Sequence, residues 1–121
     1  MKISYQIGQT DSRPWGKWEV LSIGKNYIIK KITVKPSQIL SLQAHTHRAE
    51  HWFILKGKGK ITLDNETFLV KPHASIYIDK KQKHRIKNTS NLTSLVFIEI
   101  QIGNILDEND IIRFEDTYGR L

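Results

Sequence analysis

The stretch Leu40-Ser41-Leu42-Gln43-Ala44-His45-Thr46-His47-Arg48-Ala49-Glu50-His51-Trp52 decides how this chain is read. Gln43, His45 and His47 occupy alternate positions, so on a β-strand all three side chains point to one side of the sheet. Glu50 follows three residues after His47, enough chain to turn and present a carboxylate to the same volume. His84 lies a hairpin later and is a fourth candidate. Imidazole and carboxylate together suit zinc, manganese, iron or cobalt, and a set of three or four protein groups leaves positions open for water or substrate.

Working outward, seven short runs are rich in Ile, Val, Leu, Phe and Tyr: Tyr27 to Val34, Ile39 to Ala44, His51 to Leu55, Lys60 to Leu63, Thr67 to Val70, Ala74 to Ile78 and Leu95 to Ile102. Turn formers separate them, among them Lys35-Pro36-Ser37, Lys56-Gly57-Lys58-Gly59, Asp64-Asn65-Glu66 and Lys71-Pro72-His73. That rhythm predicts an all-β antiparallel sandwich or barrel. Ile61, Leu63, Ile76 and Ile78 alternate with polar neighbours, as one buried and one wet face require. Only Asp107 to Phe114 reads as a short helix, with Asp107 as its N-cap.

The 121 residues suit a single domain over 1–121, divided into an N-terminal arm of about 1–20, a barrel of about 21–103 and a C-terminal tail of about 104–121, helical or extended. With no cysteine, thiolate metal sites, iron–sulfur clusters, disulfides and cysteine nucleophiles are excluded, and any metal is held by nitrogen and oxygen. The apolar stretch from Leu92 to Gly103 is interrupted by Glu99 and is too short to span a bilayer, and Met1 to Gln9 lacks the apolar run of a secretory signal. These features predict a cytoplasmic protein with no membrane partner. The formal charge of +7 suits an anionic ligand, but most lysines are scattered and only Lys80, Lys81, Lys83, Arg85 and Lys87 cluster, so no nucleic-acid stripe is expected.

Written as spacings, Gln43-x-His45-x4-Glu50-x6-Gly57 and His84-x3-Asn88 resemble the two signature motifs of the cupin superfamily. The chain departs from that pattern in having Gln43 for the first ligand His, Ser37 for a leading Gly, and Asp79 and Lys81 for a Pro and a Gly. A closer likeness lies in Arg13-Pro14-Trp15-Gly16, Leu40 to Trp52, His84-Arg85, Ile98 to Gly103 and Asp107 to Arg120. In this order they resemble the C-terminal domain of type II phosphomannose isomerases, the bifunctional mannose-6-phosphate isomerase/mannose-1-phosphate guanylyltransferases. The resemblance runs from about Asp11 to Arg120 and does not include the nucleotidyltransferase domain, so guanylyltransferase activity is not expected.

The resemblance implies a cupin-type antiparallel β-barrel or jelly roll. It also implies metal ligands at Gln43, His45, Glu50 and His84, with zinc ranked first and cobalt, manganese or iron as alternatives. The implied reaction interconverts mannose 6-phosphate and fructose 6-phosphate through an enediolate, with a phosphorylated sugar as substrate. For the base, His47 ranks ahead of Glu99 and His51. Arg48 and Arg85 are further catalytic candidates. Arg85, Lys81 and Lys83, with Lys80, are the candidates for phosphate, which guanidinium matches in a bidentate geometry. Arg48 could instead form an ion pair with Glu50 or Glu99. Trp18 and Trp52 read as core, and the tail as a segment docked on the barrel. A homodimer is expected from the general cupin habit. The competing readings are a non-catalytic sugar-phosphate-binding cupin, a partner of a separate mannose-1-phosphate guanylyltransferase, and a different small cupin enzyme acting on another sugar phosphate or nucleotide sugar.

Overall fold

Along Leu95 to Ile102 the chain alternates between side chains that are sealed from water and side chains that are not, and this strand becomes the centre of the larger sheet. The computed structural model describes residues 2–121. Its strands are β1 (Lys2–Ile3), β2 (Thr10–Arg13), β3 (Gly16–Gly24), β4 (Tyr27–Val34), β5 (Leu42–Ala44), β6 (Ala49–Lys56) and β7 (Gly59–Leu63). They continue with β8 (Glu66–Val70), β9 (Ser75–Ile78), β10 (His84–Asn88), β11 (Leu95–Ile102), β12 (Ile105–Leu106) and β13 (Ile112–Glu115). One sheet has the order β2-β3-β4-β11-β6-β9 and the other β13-β5-β10-β7-β8, while β1 and β12 form a small parallel pair. Every pairing within the two large sheets is antiparallel. The expected all-β, jelly-roll-like fold is what the chain adopts.

The buried face of β11 changes chemistry along its length: Leu95 and Phe97 are apolar, Glu99 and Gln101 polar, and all four are buried. Register carries that change across the sheet. Glu99 stands opposite Lys30 of β4 and Trp52 of β6, and Gln101 opposite Ile28 and Glu50. Trp52 and Phe97 pack with ring centroids 4.6 Å apart, joining an apolar core that includes Ile32, Val34, Ile54, Ile61, Ile76 and Ile86. Burying side chains of this size contributes about 1.5–3 kcal/mol each. Trp18 is buried as expected.

Asn88 ties the other end shut. Its Nδ2 donates to the carbonyl oxygens of Val34, Lys35 and Thr93 at 2.8–3.2 Å, and its Oδ1 accepts from Ser90 N–H. Gly57 turns β6 toward β7 at φ +86°, where a Cβ would meet the Ser94 carbonyl oxygen at 2.6 Å. Ser37 and Lys81, which stand where the general cupin pattern has glycine, adopt φ of 64° and 66°. The turns thus keep the left-handed backbone without the residue that favours it.

Of the two forms expected for the tail the extended one is found, and Asp107 to Phe114 does not form a helix: among the described residues there is no helix, and β13 pairs antiparallel with β5. Asp107 caps a single turn, its Oδ1 accepting from Asn109 N–H and its carbonyl from Asp110 N–H, after which the chain enters the sheet. A helix of eight residues is marginal alone, whereas the open edge of β5 offers ready partners. The segment 1–20 is also only partly an arm, because β2 and the start of β3 belong to the six-stranded sheet. Tyr118 fastens the tail to the barrel by donating to Gln38 Oε1 at 2.6 Å and accepting from Ile39 N–H at 3.2 Å.

Candidate metal centre

Three strands converge on one buried cluster. Glu50 projects inward from β6, His84 from the start of β10, and His45 from the residue that follows β5. One donor atom from each lies within 4.8 Å of the others. His45 Nε2 is 3.1 Å from Glu50 Oε2, and His84 Nε2 is 3.9 Å from Glu50 Oε1. The two imidazole centroids are 5.1 Å apart.

The far nitrogens of both rings are anchored. His45 Nδ1 lies 2.7 Å from the Asp110 carbonyl oxygen and His84 Nδ1 lies 2.9 Å from that of Gln82. A carbonyl only accepts, so each Nδ1 carries the proton and each Nε2 turns a lone pair toward Glu50. Backbone carbonyls orient metal-ligating histidines in this way. Burial lowers both histidines, His45 to about 4, so the rings are neutral at neutral pH. His84 Nε2 is buried and has no hydrogen-bond partner. A buried lone pair without a donor costs free energy, and a cation shared with Glu50 and His45 would satisfy it. The residues fit a divalent metal held by nitrogen and oxygen.

Glu50 is pulled both ways. Burial alone would raise its pKa, but the charge of Arg48 holds it well below the ordinary carboxylate range. Its Oε2 accepts from Arg48 Nε at 2.8 Å and its Oε1 from Trp52 Nε1 at 2.9 Å. The Arg48–Glu50 ion pair weighed from the sequence is therefore present, and Arg48 also reaches His45 Nε2 at 3.2 Å.

Beside this cluster lies a cavity of about 310 Å³. Gln43, His45 and Trp52 form part of its wall, with Tyr5, Trp15 and Trp18 as further aromatic surface. Five cationic side chains line it, Arg13, Lys30, Arg48, Arg113 and Arg120, against the acidic Glu99 and Glu108. Burial, then the charge and hydrogen bond of Glu50, push Glu99 up to about 8. Burial brings Lys30 down to about 8 against the pull of Glu99, and its Nζ sits 4.0 Å and 4.2 Å from the ring centroids of Tyr5 and Trp18. Gln101 Nε2 donates to Glu99 Oε2 at 3.0 Å.

The structure brings Gln43, His45, Glu50, His84 and Arg48 together and separates the rest. His47 does not share the face of Gln43 and His45, because β5 ends at Ala44 and Asp110 accepts from both Thr46 N–H and His47 N–H, holding a bend. His47 is exposed and does not line the cavity. His51 points to the outer side of β6, with Nε2 3.3 Å from Ser75 Oγ. Arg85 follows His84 on a strand and so faces away from it. Its Nε donates to the Leu40 carbonyl at 3.0 Å, and its guanidinium approaches Glu115 at 3.5 Å. Lys83 Nζ rests over the Phe114 ring at 4.3 Å, and Lys81 is exposed in a turn. None of Arg85, Lys81 and Lys83, the expected phosphate group, lines the cavity. Arg13, Arg113 and Arg120 do, and the sequence shows them as isolated arginines, Arg13 far from the two in the tail.

A family model described as mannose-6-phosphate isomerase C-terminal matches residues 2–116. The chain belongs to that family. Among curated relatives, the xanthan biosynthesis protein XanB of Xanthomonas campestris pv. campestris is 47% identical over 89% of this chain and 23% of its own length. The mannose-1-phosphate guanylyltransferase ManC of Salmonella typhimurium is 43% identical over 90% of this chain and 22% of its own. The alginate biosynthesis protein AlgA of Pseudomonas aeruginosa is 45% identical, covering 89% and 22%. This chain therefore spans less than a quarter of the length of these relatives. Among solved structures, the Schizosaccharomyces pombe Cnp3 cupin domain matches with a TM-score of 0.69 at 16% identity, covering 83% of this chain and 65% of that one. The Lactobacillus farciminis oxalate decarboxylase matches with a TM-score of 0.75 at 17% identity, covering 88% and 33%. At such identities the likeness is one of fold, and the fold is that of a cupin.

Proposed function

We propose that this chain is a metal-dependent mannose-6-phosphate isomerase, interconverting mannose 6-phosphate and fructose 6-phosphate through an enediolate. The observation that carries this reading is the buried His45–Glu50–His84 cluster, with its unpartnered His84 Nε2, beside a strongly cationic cavity. His45, Glu50 and His84 would hold the metal, zinc foremost, with Gln43 as the fourth ligand from the cavity wall. A bound divalent ion there supplies Lewis-acid stabilisation for negative charge developing on sugar oxygens.

The chain's own residues do the remainder. Arg48 neutralises Glu50 and lines the cavity, where it is placed to hydrogen-bond a sugar oxygen. Glu99, rather than the exposed His47, is the group for exchanging a proton between carbon 2 and carbon 1. It lines the cavity, and burial, then Glu50, raises its pKa to about 8, close to the pH at which it would work. Tyr5, Trp15 and Trp18 narrow the cavity and limit the water around the reacting carbons.

The test is conversion of mannose 6-phosphate to fructose 6-phosphate by metal-stripped protein before and after zinc, cobalt or manganese is returned. Product should appear only with metal and should vanish in His84→Ala. Stoichiometric metal without product would overturn the isomerase reading. It would favour a second one, a non-catalytic sugar-phosphate-binding cupin or the partner of a separate mannose-1-phosphate guanylyltransferase. The relatives lend that alternative support, because ManC carries the matched segment as 22% of a longer chain.

A further inference from the structure

The row of residues that crosses the smaller sheet at the metal cluster does not end with the candidate ligands. His84 of β10 stands opposite Gln43 of β5, and Gln43 stands opposite Arg113 of β13. Directly opposed residues in antiparallel strands share a face, with Cβ atoms about 5 Å apart. Imidazole, carboxamide and guanidinium are therefore side by side. Arg113 sits two strand spacings, about 10 Å, from the β10 backbone.

The charge around Arg113 is unbalanced. Arg13 is paired with Asp11 at 3.0 Å and with Glu108. Arg120 is held by both oxygens of Asp116, at 2.8 Å and 3.0 Å. Arg113 makes no salt bridge among the described residues, and its Nε is buried without a hydrogen-bond partner. All three arginines line the same cavity, and Arg113, lowered first by burial, feels the like charges of the other two and the opposite charges of Asp116 and Glu108, the acids those two already hold. Where Lys30 and Arg48 lie deep, the side chains of Arg13 and Arg120 are 31% and 21% exposed, which places them toward the rim. A guanidinium with a free fork, braced by two neighbours whose acids are already engaged, is suited to a phosphate dianion.

We propose that Arg113, supported by Arg120 and Arg13, is the phosphate-binding residue of the cavity. It would hold a phosphorylated sugar by its phosphate so that the opposite end reaches the His45–Glu50–His84 cluster. The inference rests on the isomerase reading for the identity of the sugar, but not for the anion. It assigns phosphate recognition to the tail strand and removes it from Arg85, Lys81 and Lys83.

Calorimetric titration of the metal-loaded full chain with inorganic phosphate, mannose 6-phosphate and mannose tests this directly. Arg113→Gln should weaken inorganic phosphate and mannose 6-phosphate at least tenfold and leave mannose and bound metal unchanged, while Arg113→Lys should recover part of the loss. In turnover, KM for mannose 6-phosphate should rise more than kcat falls. Wild-type affinity for both phosphate compounds in Arg113→Gln, or no phosphate binding by the wild-type protein, overturns the assignment. Should Arg113→Gln disturb the β13–β5 pairing, Arg120→Gln, outside every strand, takes its place and should weaken both compounds several-fold. Unchanged binding there would overturn the shared site. If the wild-type chain binds phosphate through Arg113 yet forms no fructose 6-phosphate, the isomerase reading falls and the phosphate site stands.

Discussion

The ring of His45 is held by a residue 65 positions later: its Nδ1 lies 2.7 Å from the backbone carbonyl oxygen of Asp110. The same aspartate accepts Thr46 N–H and His47 N–H through its two carboxylate oxygens, each at 2.9 Å. The tail, expected to dock on the barrel, therefore also orients a candidate metal ligand. Asp110→Ala should cost about 1 kcal/mol of stability for the lost acceptors. The carbonyl that holds the ring survives this substitution, so zinc binding should weaken only through the loosened turn, by less than the roughly 10-fold that loss of a ligand's own outer partner costs. Competition with a zinc chelator measures the second effect, and Asp110→Asn should show a smaller one. Unaltered stability and zinc affinity in Asp110→Ala would mean that the carboxylate does not hold the turn that follows His45.

Acid should weaken the metal-free protein earlier than carboxylate titration alone would explain. Burial brings His45 down from 6.5 to about 4 and lowers His84 as well. The unfolded chain takes up those protons near pH 6.5, and the folded chain resists them. The contribution of the two neutral rings is therefore complete above pH 6.5 and is lost progressively as pH falls toward 4. Glu50, whose pKa lies below its ordinary value, adds to the loss in the same direction below about 4.5. Glu99, raised to about 8, takes up its proton in the folded state over the same range and opposes this loss, so the test is urea unfolding of Glu99→Gln, whose midpoint should fall between pH 7.5 and pH 5; a flat profile in that variant would contradict burial of the neutral rings.

Trp52 serves Glu50 as well as the core. Trp52→Phe keeps an aromatic ring against Phe97 but removes the donor to Glu50 Oε1. A buried acceptor left unsatisfied costs about 1–3 kcal/mol, and the smaller ring adds a packing loss. Measured by chemical denaturation, the substitution should cost less in a Glu50→Gln background, because the charged acceptor is then gone. Equal costs in both backgrounds would show that the indole N–H contributes nothing specific.

The turn preceding β10 stores removable strain. Lys81 holds φ +66° while donating its N–H to the His45 carbonyl at 2.7 Å. Left-handed backbone costs a residue with a side chain about 1 kcal/mol, so Lys81→Gly should raise stability by about that amount and keep the hydrogen bond. Gly57→Ala should do the opposite and cost more than about 2 kcal/mol, since φ is +86° and Ser94 crowds the new methyl. A thermal melt of both variants distinguishes relief from crowding; equal shifts would refute the backbone argument.

Much of this was legible in the chain itself, and the places where it was not have a common cause. The alternation Leu95, Phe97, Glu99, Gln101 marks one buried face without any structure, since strand geometry is local. The cluster of His45, Glu50 and His84 was legible through the resemblance to a known motif, since it joins the β5–β10 pair of one sheet to β6 of the other, a meeting that spacing alone does not dictate. His47 was misread because the bend that turns it outward depends on Asp110, which is remote in sequence. Arg85 faces away from His84 because neighbouring residues on a strand point to opposite faces.

By itself, then, the sequence determined the all-β class, the restriction of any metal site to nitrogen and oxygen donors, and the segments that carry the candidate ligands. These depend on side-chain chemistry and on periodicities only a few residues long. Tertiary structure alone decided which cations face the cavity, that the tail is a strand, and that Glu99 rather than His47 meets the cavity. Those outcomes follow from pairings such as Arg113 with Gln43, whose partners are distant in the chain. No local preference encodes which strand edge a tail will find.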